Sequence, residues 1–337
     1  ASSKSGGTLS AAQFDDVTNF GVNFLTLSDT GNSAIAVAET SIQENTQLGL
    51  SASWVTSATN YVEIRAAPSA KHTGVVGGSG AGIADTLTGG NAIASAVPHL
   101  RLTNLYLTST TDNPLTFNTG MVETRITGCL LHSTGTINNF IVVFTGAVKL
   151  SNNFASWHNA TTALIRVLST ASGTNYIYGN SFYGSGNPIF DNASASANTL
   201  VRNNIIFGFS ATPFSNTGGS TLIQEYNAYD TAFVGGTGSV NSLVVSDHLT
   251  STTAHTENLH LKATSSLKEA GWPGLLLDAT YAVLLDIDGH KRTTYAIGAD
   301  VIDTPVVEFL SAIRITGATN PAPDYNTFTA WNTAVAG

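Results

Sequence analysis

The chain has 337 residues, with 13 Lys and Arg against 22 Asp and Glu, a formal net charge of −9 and only 10% charged residues. That balance argues against a nucleic-acid binder, which needs a basic footprint to release counterions, and no run of 18 apolar residues exists to span a membrane. A hydrophobic share of 42% also sets it apart from disordered chains.

Solubility therefore rests on Ser, Thr and Asn rather than on charge, the composition of a β-rich exterior protein. The opening Ala1-Ser-Ser-Lys4 is small and polar with no apolar signal core, which implies a removed leader or another export route, as for virion components. Cys129 is the single cysteine, so an internal disulfide is excluded, and the expected role is an inert apolar one.

In chain order, residues 1–60 lack any repeat. Short strand-like runs at Phe20–Leu27 and Leu48–Val55 are assigned to an N-terminal cap, which a solenoid needs to cover its first turn. Tyr61–Arg65 is the first convincing strand, and the glycine-rich Gly74–Gly82 is a loop.

From about residue 91 to 240 the sequence repeats. Aliphatic leads at Leu102, Ile126, Leu150, Ile177, Val201 and Ile223 are separated by 24, 24, 27, 24 and 22 positions. Such a period predicts a β-solenoid. Each lead points inward and its neighbours outward. Three positions after the lead stand Asn153, Asn180 and Asn204. Asn tolerates a left-handed corner, and stacked amides form an internal ladder that satisfies buried polar groups.

Further on come Asn258–Gly271, Asp286-Ile-Asp-Gly-His-Lys-Arg292 and Ala296-Ile-Gly-Ala-Asp300. Together with the period and the Asn corners, these segments resemble the right-handed parallel β-helix proteins of the pectate-lyase-like superfamily. The resemblance covers roughly residues 91–302 and departs from the family pattern at Lys268-Glu269. It implies an all-β, right-handed parallel β-helix of eight to ten turns across 61–302. Because that superfamily holds lyases, hydrolases, adhesins and virion proteins, it implies no single activity. In the tail, 303–337, Thr304 and Pro305 begin a predicted helix with Val306, Phe309, Leu310 and Ile313 on one face. An extended arm follows; the tail either caps the last turn or docks on a neighbouring subunit.

Enzymes of the superfamily carry carboxylates on the outer face of one sheet. Here the acids Asp112, Glu123, Asp191, Glu225 and Asp230 are scattered, and the adjacent Asp15-Asp16 precedes the repeats. The segment Gly77–Ala81 is not a nucleophile elbow. His255 and His260 lack the four-residue spacing of a zinc helix and read as surface histidines on a turn. Asp286-Ile-Asp288-Gly289 is a calcium-loop fragment without its remaining ligands and reads as a hydrogen-bonded turn. Neither a metal nor a cofactor is expected.

One pattern stands out. Arg101, Arg125 and Lys149 precede three successive leads, and stacked outward at about 4.8 Å they repel by roughly 0.8 kcal/mol per pair in water. Glu123 and His99, two residues earlier, share that face and offset the repulsion. The column is either a solvated strip that deters edge association or a docking strip for an anionic partner. The aromatics Tyr106, Trp157, Tyr178, Tyr183, Tyr226 and Tyr229 supply further contact candidates, Tyr178 among the binding residues.

The expected function is a non-enzymatic exterior structural or binding protein, a phage virion component or a surface adhesin, located extracellularly or on the virion surface. Its partners are other subunits, a homo-oligomer or a virion assembly, or a surface glycan. The alternative is a depolymerase, lyase or glycoside hydrolase, acting on acidic glycans.

Overall fold

The structure, a computed structural model, describes residues 3–4, 34–38, 43–44, 48–50, 54–85, 92–110, 113–133, 135, 137–168, 170–186, 189–209, 212–233, 236–276, 281–292 and 294–301. The predicted strand at 20–27, the Asp15-Asp16 pair and the whole tail at 303–337 lie outside the described residues.

Strands stack in parallel into a β-helix of about seven turns. The first face runs Ala34–Ala38, Val62–Ala66, His99–Thr103, Glu123–Thr127, Ala147–Ser151, Gly173–Tyr178, Ala197–Arg202 and Leu222–Glu225. A second face follows Gly82–Asp85, Tyr106–Ser109 and Leu130–Ser133, and a third follows Ile93–Ser95, Leu115–Phe117 and Ile137–Val143. The 14-residue strand Phe154–Val167 bends through the corner between these two. Its start pairs with Leu130–Ser133 and its end with Ile137–Val143.

Alternation builds the core. In His99–Thr103 only Leu100 and Leu102 turn inward, and in Glu123–Thr127 only Thr124 and Ile126. The Thr124 hydroxyl donates to Met121 Sδ at 2.7 Å, so even this inward polar group is satisfied. The leads Leu102, Ile126, Leu150, Ile177 and Val201 are all fully buried. Opposite them stack Leu107, Leu131, Ala155, Phe182, Ile206 and Tyr229 from the second face. The third face adds Leu115, Ile141, Ile165, Phe190 and Phe214.

The Asn ladder runs along the corner between the first and second faces. Asn153 Nδ2 donates to Asn180 Oδ1 at 2.9 Å, Asn180 Nδ2 to Asn204 Oδ1 at 2.9 Å, and Asn204 Nδ2 to Asn227 Oδ1 at 3.0 Å. The backbone N–H of each donor residue reaches the same oxygen. Cys129 stands at the head of the column, its N–H donating to Asn153 Oδ1 at 2.9 Å.

Two expectations are corrected here. The left-handed corner residue is not the ladder Asn but the one before it: Asn104, Gly128, Asn152, Gly179, Asn203 and Tyr226 all have φ between 55° and 64°. At the last turn Val201 pairs with Gln224 rather than with the apparent lead Ile223, so the register is one residue later than the aliphatic pattern implies.

The stack also ends earlier than the span 61–302. Its last parallel rungs are Leu222–Glu225 and Ala228–Tyr229, and Phe233 packs against the core while Val240 bridges to Ala228. This is why there are fewer turns than eight to ten. The described residues 245–276, 281–292 and 294–301 fold back along the outside of the coil. They contain a one-turn helix, Val245–His248, an antiparallel pair, Leu249–Ser251 with Asn258–Leu261, and two 3-10 turns, Ser266–Glu269 and Pro273–Leu276. Tyr106, Leu130, Phe154, Ser181, Ile205 and Ala228 form one outward column of the second face. The returning segment buries that column with Leu249, Leu259, Leu261, Ile287 and Ile297. Each such large side chain contributes on the order of 2 kcal/mol. At the start of the chain, Ala34–Ala38 already pairs with Val62–Ala66, so the cap region itself supplies a rung.

Candidate functional site

The first face orders its outward side chains by register. Glu63, Arg101, Arg125, Lys149 and Tyr176 form one column, because each pairs with the next across adjacent strands. His99, Glu123 and Ala147 form the neighbouring column. The structure thus brings Arg101, Arg125, Lys149, Glu123 and His99 together, as the spacing predicts.

Like charges are held there by three separate devices. Glu123 bridges two cations, taking Arg125 Nε at 2.5 Å and Lys149 Nζ at 2.6 Å. Burial alone would raise its carboxyl pKa, but the hydrogen bonds from Lys149 and Arg125 outweigh this and hold it below the usual carboxylate range. Arg101 instead lies over the Tyr61 ring, 3.3 Å from its centroid, and donates from Nη2 to Ala58 O at 3.0 Å. Arg101 is half-buried, and that desolvation lowers its pKa. Lys149 is sandwiched near two rings, 5.1 Å from Tyr176 and 5.3 Å from Tyr281. His99 donates its backbone N–H to Thr56 Oγ1 at 3.0 Å, and burial lowers its imidazole pKa.

Only part of this face is open. The returning segment crosses it with Trp272, Leu275, Tyr281 and Val283, and Tyr281 anchors there through its hydroxyl, 2.8 Å from Ser151 Oγ. Two expected binding residues are consequently covered: Lys149 is 7% exposed and Tyr178 is 0% exposed. Tyr178 packs against Leu275 and Tyr281 and is not a platform for a partner. Lower still, Arg202 pairs with Glu225 at 2.9 Å and lies 4.2 Å from the Trp272 ring centroid. What remains accessible is the upper part, with Arg65, Arg101, Arg125, His99, Thr103 and Thr127. Across the strip four cationic side chains, Arg65, Arg101, Arg125 and Lys149, face two carboxylates, Glu63 and Glu123, within a protein of net charge −9.

Tyr61, Tyr281 and Trp272, which shape the strip, escaped sequence reasoning. Tyr61 opens the predicted strand 61–65 and directly precedes the observed strand Val62–Ala66, within reach of a register argument; the other two arrive from a segment whose fold-back no local pattern encodes. Trp157 and Tyr229 belong to the core, Tyr106 is covered by the returning segment, and Tyr183 and Tyr226 are half-buried.

The scattered acids do not assemble. Asp191 lies 3.7 Å from Arg166 on the third face, Glu225 pairs with Arg202, and Asp230 accepts from the Gly208 N–H; Asp112 is outside the described residues. Asp286 accepts from the N–H groups of Asp288 and His290 at 2.9 and 2.8 Å, a hydrogen-bonded turn completed by Gly289 at φ 88°. Asp288 pairs with His260 at 3.1 Å, so His260 clamps this turn onto the hairpin instead of standing as a surface histidine.

Fold and face define a parallel β-helix protein with a charged, aromatic-walled strip on its first sheet. Comparison of the chain with family models, with curated proteins and with solved structures returns no match.

Proposed function

We propose that this chain is a non-enzymatic exterior binding protein, a virion component or a surface adhesin, whose first face docks an acidic glycan. The observation that carries the reading is the state of Glu123. A glycoside-cleaving pair needs one carboxyl kept protonated by a raised pKa and a second at a defined distance. Glu123 is instead locked between two cations and pushed down. The face is thereby equipped to hold anions rather than to transfer protons.

Arg101 and Arg125 supply the charge, and the rings of Tyr61 and Tyr281 position them, Arg101 lying 3.3 Å from the Tyr61 centroid and Arg125 5.7 Å from the Tyr281 centroid. The exterior assignment is supported by the charge-poor, Ser/Thr/Asn-rich composition together with a coil that shields its polar interior in a ladder. Incubation with a panel of capsular and pectic glycans, followed both by retention and by chain length, tests it. Retention without shortening is expected. Shortening of any acidic glycan identifies a depolymerase instead, and absence of retention on every acidic glycan removes the docking role.

A further inference from the structure

No histidine stands four residues from His255 in sequence, yet its imidazole meets another one 123 residues away. His255 Nδ1 and His132 Nε2 are 3.3 Å apart, with the rings edge to face at 77°. In one pair of tautomers this is a long N–H···N hydrogen bond between the two rings. The separation also matches the spacing of about 3.3 Å between two imidazole nitrogens that share a tetrahedral zinc at 2.0–2.1 Å each.

Both rings are held in this pose. His132 is buried on the outer side of the second face, and its Nδ1 lies 2.7 Å from Ser156 Oγ. In the tautomer that donates Nδ1–H to Ser156, the Nε2 lone pair points at His255, the arrangement by which a second residue orients a metal-binding histidine. His255 adopts φ 62°, a left-handed conformation rare for a residue with a side chain. It is fixed through the residues that follow it: its N–H donates to Glu257 Oε1 at 3.1 Å, Val76 N–H donates to Glu257 O at 2.9 Å, and Val75 bridges to Asn258. The backbone is thus constrained so that an exposed imidazole folds back onto a buried one, while its outer side stays open to solvent.

We infer that His132 and His255 form a two-imidazole clip for a divalent transition-metal ion of the zinc class, with water completing the coordination. The preference for this class follows from the donors, since neutral imidazole suits zinc, copper and nickel rather than calcium or magnesium. The ion would fasten the returning segment to the coil. This site is separate from the first face and independent of any glycan.

The test is calorimetric titration of the full chain with zinc chloride, with thermal unfolding followed in parallel. One equivalent of zinc binds the natural protein and raises its unfolding midpoint. His255→Gln, a change at an exposed position, weakens that binding at least tenfold and abolishes the midpoint rise, and His132→Gln does the same if it folds. His290→Gln, in the Asp286 turn, leaves both unchanged. Absence of zinc binding, binding that survives His255→Gln, or binding lost in His290→Gln overturns the clip.

Discussion

Asn153 and Asn180 stand 27 residues apart in sequence, yet the amide of one donates to the amide of the other at 2.9 Å inside a fully buried corner. The Asn180 oxygen also receives the Asn153 backbone N–H at 3.0 Å, and the Asn180 amide reaches Leu150 O and Tyr178 O at 3.2 Å each. A single side chain therefore ties together the backbone of two turns and, through Asn204 Oδ1, the side chain of a third.

Asn180→Ala strips partners from several buried groups at once. Each unsatisfied group costs about 1–3 kcal/mol, so a loss on the order of 3 kcal/mol or more is expected in urea unfolding. Asn180→Asp has nearly the same shape and is expected to destabilise comparably, because a carboxylate oxygen would then face Asn204 Oδ1. Full stability of the Asp variant would show that packing, not donor geometry, holds the corner.

Cys129 occupies the ladder position one turn above Asn153, and its thiol points at Leu102 O over 3.6 Å, the counterpart of the carbonyl that Asn153 reaches at Ile126. Cys129→Asn is expected to lengthen the ladder and stay within about 1 kcal/mol of the natural protein, whereas Cys129→Leu overpacks the corner and costs about 1–3 kcal/mol. Burial pushes the thiol pKa up to about 12, so alkylation by iodoacetamide at pH 8 should proceed only after unfolding. Rapid labelling of the folded protein would contradict its placement.

These two residues also show how much was legible beforehand. The period and the inward aliphatics predicted the coil, and Asn153, Asn180 and Asn204 predicted the ladder, because both patterns arise from contacts between neighbouring turns. Asn227 was missed for a local reason. Ile223 imitates a lead, but the turn is one residue longer than that reading allows, and alignment on the asparagines would have found it. The basic column was likewise visible in the 24-residue spacing. Its covering by Trp272 and Tyr281 was not, since it depends on a segment returning from more than a hundred residues away and carrying no repeat of its own.

Glu123→Gln removes the bridge between Arg125 and Lys149 and leaves a mostly buried ammonium without its carboxylate. A loss of about 2 kcal/mol is expected, between the values typical of exposed and of buried pairs. The folded-state pKa of Glu123 is depressed, so its stabilisation is present above the unfolded carboxylate pKa and fades as pH falls through the folded value. The variant should therefore flatten the acid limb of the stability curve, while binding acidic glycans more tightly because one negative charge has left the strip.

His72 is held neutral by geometry: its Nδ1 accepts from Gly74 N–H at 3.1 Å while Nε2 donates to Gly128 O at 2.7 Å. Burial pushes its pKa down to about 4, despite the opposing Gly128 bond and nearby Asp288, with Lys71 and His260 adding to the fall. The folded state thus resists a proton that the unfolded chain takes up near pH 6.5. Stabilisation worth about 3 kcal/mol is present above pH 6.5 and is lost progressively down to about pH 4. Asp300 works in the other sense, since burial raises its pKa to about 6 and its contribution fades as pH rises toward that value. Comparison of His72→Gln with the natural protein between pH 7 and pH 4 isolates the histidine. The variant should lose less stability over that window, and parallel curves would refute the assignment.

The docking role of the first face is tested most directly by titrating the protein with a size-defined acidic oligosaccharide at two salt concentrations, for the natural chain and for Arg101→Ala and Arg125→Ala. Binding that weakens with salt, falls at least tenfold in each variant and leaves the oligosaccharide intact is the predicted result. Equal affinity in all three proteins, or shortening of the oligosaccharide, would contradict it.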